Sequence, residues 1–154
     1  MNIAIIGTRY PSRKQTEAVV ELIHSLNKND IVMSGCAIGI DCIALKTAKE
    51  RGLLTVGNVP FKGYNQHIQE YCNKVYIFDD SMKDAIKSVE QYHPNVKALS
   101  QIVFKLMARN YMIIEPANSV YAFPAKDRFG GYGGTGQGIR IANDLDIPCT
   151  IMEK

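Results

Sequence analysis

The sequence predicts an α/β protein with a doubly wound, mainly parallel sheet that carries helices on both faces. Short, apolar, β-branched runs such as Asn2 to Gly7 and Ile31 to Met33 alternate with amphipathic segments such as Ile40 to Arg51. The alternation starts at the first residues and continues along most of the chain. Because each crossover between parallel strands returns over the sheet in the right-handed sense, helices are expected on both faces.

Length and composition favour one domain over residues 1–154. Hydrophobic residues make up 46% and charged residues 21% of the chain, as in ordinary globular proteins, so extensive disorder is not expected. The longest apolar runs are far below the roughly 20 residues that a membrane-spanning helix needs. The first residues also lack the basic start and apolar stretch of a signal peptide, so we expect a cytoplasmic protein.

The formal net charge of +3 permits a polyanionic partner without requiring one. The cysteines at positions 36, 42, 72 and 149 form no Cys-x-x-Cys pair and have no histidine at ligand spacing. We therefore expect free thiols, and neither a metal site nor a cofactor.

The first helix is predicted from about Arg13 to Lys28, because Ser12 and Gln15 form a capping-box pair and apolar residues follow at helical spacing. Gly52 is the expected stop of the second helix. The later elements expected are a strand at Leu53 to Gly57, a short helix ending near Tyr71, a strand at Lys74 to Phe78, a helix capped by Ser81, a helix from Val96 to about Tyr111, a strand at Asn118 to Phe123, a helix around Ile141 and a strand at Pro148 to Met152.

Ser34 to Asp41 joins a buried strand to a helix and contains two glycines. Unpaired backbone N–H groups at such a helix start attract anions, and glycines let a phosphate approach the backbone. The alternative is a tight turn without a ligand. Cys36 lies near the helix start, which would lower the pKa of its thiol, but no histidine base is near in sequence.

Two further loops are expected at the same edge of the sheet: Gly7-Thr8-Arg9, and a glycine-rich loop that runs through Gly136. Residues 131–136 match G-x-G-x-x-G formally, but no strand ends directly before them and no chain remains for the acidic residue expected about 20 positions later. A dinucleotide fingerprint is rejected, and no Walker loop is present. Lys126 and Arg128 are expected either to be solvated or to form a lid over phosphate.

Ile5 to Arg9, Ser34 to Asp41 and Arg109-Asn110 resemble the successive signatures of the DNA-processing protein A (DprA/Smf) family. This family is part of the Rossmann-like superfamily that also contains the lysine-decarboxylase-like (LOG) proteins. The resemblance implies a Rossmann-like fold, binding of single-stranded DNA in a basic pocket, a homodimer, and delivery of DNA to a RecA-type recombinase. The chain has no room for the extra terminal domains of many members, so recombinase loading is not expected.

LOG enzymes carry Pro-Gly-Gly-x-Gly-Thr-x-x-Glu, and Gly138 stands where their catalytic glutamate falls. The resemblance therefore implies phosphate binding without cleavage of the sugar, and no catalytic residue is predicted.

Three functions follow, in order of preference. The first is binding of single-stranded DNA in DNA processing or recombination. The second is binding of a small or signalling nucleotide, and the third is hydrolysis of a nucleotide N-glycosidic bond with Asp41 or Glu115 as the carboxylate. The candidate ligand- and phosphate-binding residues are Gly7, Thr8, Arg9, Ser34, Gly35, Ala37, Gly39, Asp41, Arg109, Asn110, Lys126, Arg128, Gly133, Gly134, Thr135 and Gly136.

Overall fold

A computed structural model describes residues 1–92, 96–125 and 133–152. The strands are β1 (Asn2–Gly7), β2 (Ile31–Ser34), β3 (Leu54–Val59), β4 (Lys74–Ile77), β5 (Ser119–Phe123) and β6 (Cys149–Ile151). The helices are α1 (Arg13–Ser25), α2 (Ile40–Glu50), α3 (Gln66–Gln69), α4 (Lys83–Tyr92), α5 (Gln101–Ile114) and α6 (Gly133–Asp144).

The six strands form one parallel sheet in the order β4-β3-β2-β1-β5-β6. One face packs against α1, α2 and α3, with Ile5 of β1 and Ile23 of α1 in its core. The other packs against α5 and α6, with Ile6 of β1 and Ile113 of α5 in its core. Successive residues of β1 point to opposite faces of the sheet, and both faces are covered by helices. The strand is therefore apolar throughout. The predicted α/β, Rossmann-like, doubly wound fold is confirmed.

The strand order reverses at β1. The chain builds outward from β1 through β2 and β3 to β4, then crosses back to place β5 on the other side of β1. The connections after β1 and β5 therefore leave the sheet in opposite directions and open a crevice at its carboxyl edge. Ligands of open α/β sheets bind in such crevices.

Several predicted boundaries need correction. Helix α1 stops at Ser25 because the Asp30 carboxylate accepts the N–H of Asn27 at 2.9 Å and forms a turn there. The residues from Val96 to Ala98 form a separate 3-10 turn, and α5 begins only at Gln101, where the Ser100 side chain caps it.

The start of α4 also differs from the sequence prediction. The helix begins at Lys83, and in the turn before it Asp79 Oδ1 accepts the N–H of Ser81 at 2.8 Å. The capping box of Ser12 and Gln15 on α1 is confirmed. Within the described ranges, none of the helices is both long and apolar enough to cross a bilayer.

The loops after β1 and β2 touch directly at Gly39. This residue has φ +86°, and its neighbour Ile40 donates its backbone N–H to Thr8 O at 3.1 Å. A Cβ atom at position 39 would lie 2.5 Å from Thr8 O and 2.6 Å from the Arg9 carbonyl. Glycine is therefore required both for the left-handed backbone and for the close approach of the two loops.

Gly63 provides a matched control for this close approach. It has φ +85°, but a Cβ atom there would meet nothing within 4 Å. Gly63→Ala is expected to lower the free energy of unfolding by about 1 kcal/mol, the cost of a left-handed non-glycine residue. Gly39→Ala should cost at least about 2 kcal/mol more, because backbone atoms must also move. Equal losses for the two variants in urea unfolding would contradict the close approach.

Candidate functional site

A cleft of about 360 Å³ opens at the carboxyl edge of the sheet, between the loop after β1 and helices α5 and α6. It combines segments from all three regions that the sequence analysis selected. The predicted site residues that line it are Gly7, Thr8, Arg9, Ala37, Asp41, Arg109, Asn110, Gly134 and Thr135.

The other predicted residues within the described ranges do not line the cleft. Ser34 is fully buried beneath it, and its hydroxyl donates to Ile5 O at 2.8 Å. Gly35 and Gly39 shape the loop before α2, as the contacts of their backbones show. Gly133 and Gly136 belong to α6 without facing the cleft. Lys126 and Arg128 lie outside the described residues.

Asp41 closes the loop between β2 and α2. Its Oδ2 accepts the backbone N–H of Gly35 at 3.1 Å and of Ala37 at 3.2 Å, and the residue is only 6% exposed. The expectation of unpaired N–H groups facing an anion is therefore wrong for these two groups. Asp41 itself supplies the negative charge that the loop and the start of α2 attract.

Arg109 is the buried cation of the same region. Its Nη1 donates to Gly35 O and to Asn58 O, the latter at 3.4 Å. Its guanidinium carbon also lies 5.7 Å from the centre of the Tyr64 ring, a cation–π contact. The partners found for this guanidinium are thus backbone carbonyls and a ring. Its role as a ligand-binding residue stays a prediction.

The charges of Asp41 and Arg109 are coupled. Burial raises the pKa of Asp41, while the charge of Arg109 and hydrogen bonds from Ala37, Ser34 and Gly35 oppose the rise. Without Arg109, the buried negative charge of Asp41 would lose its compensating positive charge. Removing one partner of a buried ion pair strongly destabilises the folded state.

The start of α6 forms the opposite wall of the cleft. The sequence predicts a loop over residues 133–136, but helix α6 already begins at Gly133. Helix α5 supports this glycine-rich turn, because Asn110 Nδ2 donates to Gly134 O at 3.3 Å and to Gln137 Oε1 at 2.9 Å. Within the described part of the chain, Nε2 of the buried Gln137 has no hydrogen-bond partner.

The apolar and aromatic residues of the lining are not among the predicted site residues: Ile6, Tyr10, Leu106, Met107, Ile113 and Ala125. Helix α5 packs against both the sheet and α4, so its apolar sequence did not distinguish the residues that line the cleft from those in the core. Tyr10 is 82% exposed at the rim, and its N–H donates to Thr8 Oγ1 at 3.1 Å. An exposed aromatic ring directly after a polar loop was the available sequence signal.

Cys36 is not an activated thiol. Its Sγ lies 3.7 Å from Cys72 Sγ, and both atoms sit over Gly57, where a Cβ would approach them to 2.6 and 2.8 Å. The hydrogen bond to Cys72, together with burial, raises the pKa of Cys36, opposite to the shift expected from its place near a helix start. The prediction of free thiols at all four cysteine positions is confirmed. In the described ranges, no group of three or more His, Cys, Asp or Glu side chains is arranged to hold a metal ion.

Residues 1–146 match the family described as DNA recombination-mediator protein A. The chain belongs to this family. The resemblance inferred from the three signature stretches is confirmed, and those stretches form the loop after β1, the Asp41 loop and the Arg109-Asn110 pair of the cleft.

Relatives agree with this assignment. DNA processing protein DprA of Streptococcus pneumoniae (strain ATCC BAA-255 / R6) is 24% identical over 158 residues, covering 98% of this chain and 51% of the relative. The chain thus spans about half the length of this curated relative.

Two solved structures share the fold. DNA processing protein A from Helicobacter pylori, solved to study its single-stranded DNA binding mode, superposes with a TM-score of 0.70 at 24% identity, covering 98% of this chain and 64% of that chain. DprA from Streptococcus pneumoniae superposes with a TM-score of 0.57 at 18% identity, covering 98% of this chain and 58% of that chain.

The two carboxylate positions considered for glycosidic cleavage lie apart. Glu115 lines a different surface, next to Asn2 at the amino end of β1, while Asp41 is held by its own loop. Gly138, at the position of the LOG glutamate, is buried against β1, and a Cβ there would lie 2.6 Å from Ile6 Cδ1. A longer side chain at position 138 would have to displace Ile6 from the core.

Arg109→Leu tests the coupling of Arg109 to Asp41. The variant should lose about 3 kcal/mol of unfolding free energy at neutral pH, because the buried carboxylate loses its compensating charge. The pKa of Asp41 in the folded state should rise further. An acid whose pKa is raised on folding destabilises the folded state as the pH increases from its ordinary pKa of 3.8 to the raised pKa. The deficit should therefore shrink towards acid pH, as measured by urea unfolding at several pH values.

A double variant, Arg109→Leu with Asp41→Asn, controls for this effect. It also removes the buried negative charge, so the pH-dependent part of the loss in unfolding free energy should disappear. The part that comes from the carbonyl groups of Gly35 and Asn58, which lose their hydrogen-bond donor, should remain. A deficit in Arg109→Leu that stays constant between about pH 4 and pH 8 would contradict the coupling.

Proposed function

We propose that the chain binds single-stranded DNA in the cleft between the β1 loop and helices α5 and α6, as part of DNA processing or recombination. The observation that carries the proposal is the coincidence of the family signatures with a crevice at the switch point of the sheet. The Helicobacter pylori relative has a single-stranded DNA binding mode of its own, which supports the same ligand class here.

The rim of the cleft suits a nucleic-acid strand. Arg9 is exposed beside the buried Thr8, and Tyr10 presents an exposed ring next to it. Arginine neutralises backbone phosphates, and bases stack on aromatic rings whatever their sequence. The start of α6, with Gly134 and Thr135 in the lining, adds the positive end of a helix dipole on the other side. If Lys126 and Arg128 bind phosphate as well, they do so from the segment directly before α6.

A small nucleotide is the second candidate. The volume of about 360 Å³ is in the range of small-molecule sites and accommodates about one nucleotide unit. A free nucleotide and one unit of a strand would present similar groups to the cleft. Competition between mononucleotides and an oligonucleotide distinguishes the two, because a strand gains affinity from phosphates outside the cleft and a free nucleotide does not.

A single domain over residues 1–154, a cytoplasmic location and a homodimer are parts of the same proposal. The family resemblance supports the dimer. Sedimentation equilibrium measures the oligomeric state, and a monomer at every concentration would exclude the dimer while leaving the DNA-binding proposal intact.

Arg9→Ala tests phosphate binding at the rim. Fluorescence anisotropy with a labelled oligonucleotide of about 15 nucleotides should show a dissociation constant that rises with salt. The variant should bind several-fold more weakly. Its plot of the logarithm of the association constant against the logarithm of the salt concentration should be less steep by about 0.7, the value for one lost phosphate contact to a single strand. Lys28→Ala removes one exposed charge between α1 and β2, at the opposite edge of the sheet, and should bind as the wild type does. Absence of wild-type binding even at low salt would overturn the proposal.

A further inference from the structure

Two cysteine thiols from opposite sides of β3 meet over its backbone. Cys36 follows β2, and Cys72 lies in the turn between α3 and β4. Their Sγ atoms are 3.7 Å apart. At Gly57 of β3, a Cβ atom would lie 2.6 Å from Cys36 Sγ and 2.8 Å from Cys72 Sγ. The missing side chain of this glycine therefore leaves the space in which the two sulfur atoms approach each other.

The two segments that carry these thiols are also joined by their backbones. Asn65, directly before α3, donates its Nδ2 to Cys36 O at 3.1 Å. Cys72 donates its N–H to Gln69 O at 2.9 Å, which fixes the turn after α3. A disulfide needs an S–S distance of about 2 Å. The sulfur atoms therefore have a short gap to close, and the two segments are already in contact.

The two thiols differ in accessibility and in charge. Cys36 is fully buried, whereas Cys72 is half-buried. The hydrogen bond from Cys36 lowers the pKa of Cys72; burial opposes this shift, and the charge of Lys49 adds to it. Lys49 Nζ is held close by, because it donates to Glu70 O at 3.0 Å. Since the thiolate is the nucleophile, Cys72 is the thiol that an oxidant reaches in reactive form, and Cys36 stays protonated beside it.

We infer that Cys36 and Cys72 form a redox-active dithiol that a hydroperoxide converts into an intramolecular disulfide. An accessible thiolate next to a second, resolving cysteine is the arrangement typical of redox-sensing sites. The alternative is that the pair only fills the core, as buried cysteines do in many proteins. The inference is independent of what the cleft binds.

The reaction with hydrogen peroxide has two steps. The Cys72 thiolate attacks one peroxide oxygen, the O–O bond breaks, and a sulfenic acid and hydroxide form. Cys36 Sγ then attacks Cys72 Sγ, the S–S bond forms, and the sulfenic hydroxyl leaves with the proton of Cys36 as water. The proton that Cys72 gave up on ionising converts the hydroxide into a second water. The two thiols together lose two electrons, and one peroxide is reduced to two molecules of water.

The disulfide would tie one wall of the cleft to the edge of the sheet. Cys36 lies between Gly35 and Ala37, whose N–H groups are held by Asp41. Ala37 and Asp41 line the cleft, and Cys72 directly precedes the edge strand β4 by one residue. Oxidation would therefore restrain the Asp41 loop against the connection between α3 and β4.

Peroxide treatment of the whole chain, followed by alkylation in denaturant and peptide mass spectrometry, tests the inference. The wild type should lose two of its four free thiols and yield a disulfide between the peptides of Cys36 and Cys72. Dithiothreitol should restore all four. Burial raises the pKa of Cys42 and of Cys149, so these half-buried thiols are matched controls and should stay reduced. Survival of all four thiols, or oxidation of Cys42 and Cys149 as fast as the pair, would overturn the inference.

Two single variants separate the roles of the two sulfur atoms. Cys36→Ser removes the resolving thiol, so Cys72 should stop at the sulfenic acid and be labelled by dimedone, which reacts with sulfenic acids. Cys72→Ser should leave Cys36 unlabelled, because this thiol is buried and protonated. Circular dichroism checks that both variants are folded. Equal labelling of two folded variants would contradict the assignment of Cys72 as the attacking thiol.

Discussion

The closure of the loop between β2 and α2 by Asp41 is the interaction on which the cleft depends. One carboxylate oxygen gathers the N–H groups of Gly35 and Ala37, and Arg109 from α5 holds the carbonyl of Gly35 from the other side. Both residues are largely buried, so their charges depend mainly on each other and on hydrogen bonds within the protein. A carboxylate and a guanidinium of opposite charge thereby join α2 to α5 across the carboxyl edge of the sheet.

This closure determines how charge is distributed in the cleft. The glycines between β2 and α2 predict a phosphate-binding loop, but this loop contains its own carboxylate, Asp41. The N–H groups of Gly35 and Ala37 donate to Asp41 and are not free to bind an anion. Positive charge reaches the cleft from the exposed Arg9, from the buried Arg109 and from the start of α6. The exposed charge of Arg9 is thus at the rim, whereas the buried charges of Arg109 and Asp41 lie deeper and compensate each other.

Much of the fold and of the site could be predicted from the sequence, because parallel strands bring their carboxyl ends to one edge wherever the intervening helices lie. Hydrogen-bond directions could not be predicted. Asp41 reaches back to Gly35 only because Cys36 adopts φ +58°, a conformation that cysteine rarely has and that no sequence pattern announces. The early start of α6 was also hidden, since glycine is a poor helix former and the bond from Asn110 to Gly134 is a tertiary contact.

The central position of β1 has a consequence for the order of events as the chain folds. Strand β1 pairs on one side with β2 and on the other with β5, and Asn2 donates its N–H to Asn118, 116 residues later. Strands β1 to β4 are consecutive in the sequence and can pair without β5. In a sheet of these four strands, the loop after β1 would face solvent on the side where α5 and α6 pack in the complete fold. Closing so long a loop is slow compared with local pairing. We therefore expect the cleft to be among the last features to form, so that recovery of ligand binding during refolding lags behind formation of the sheet.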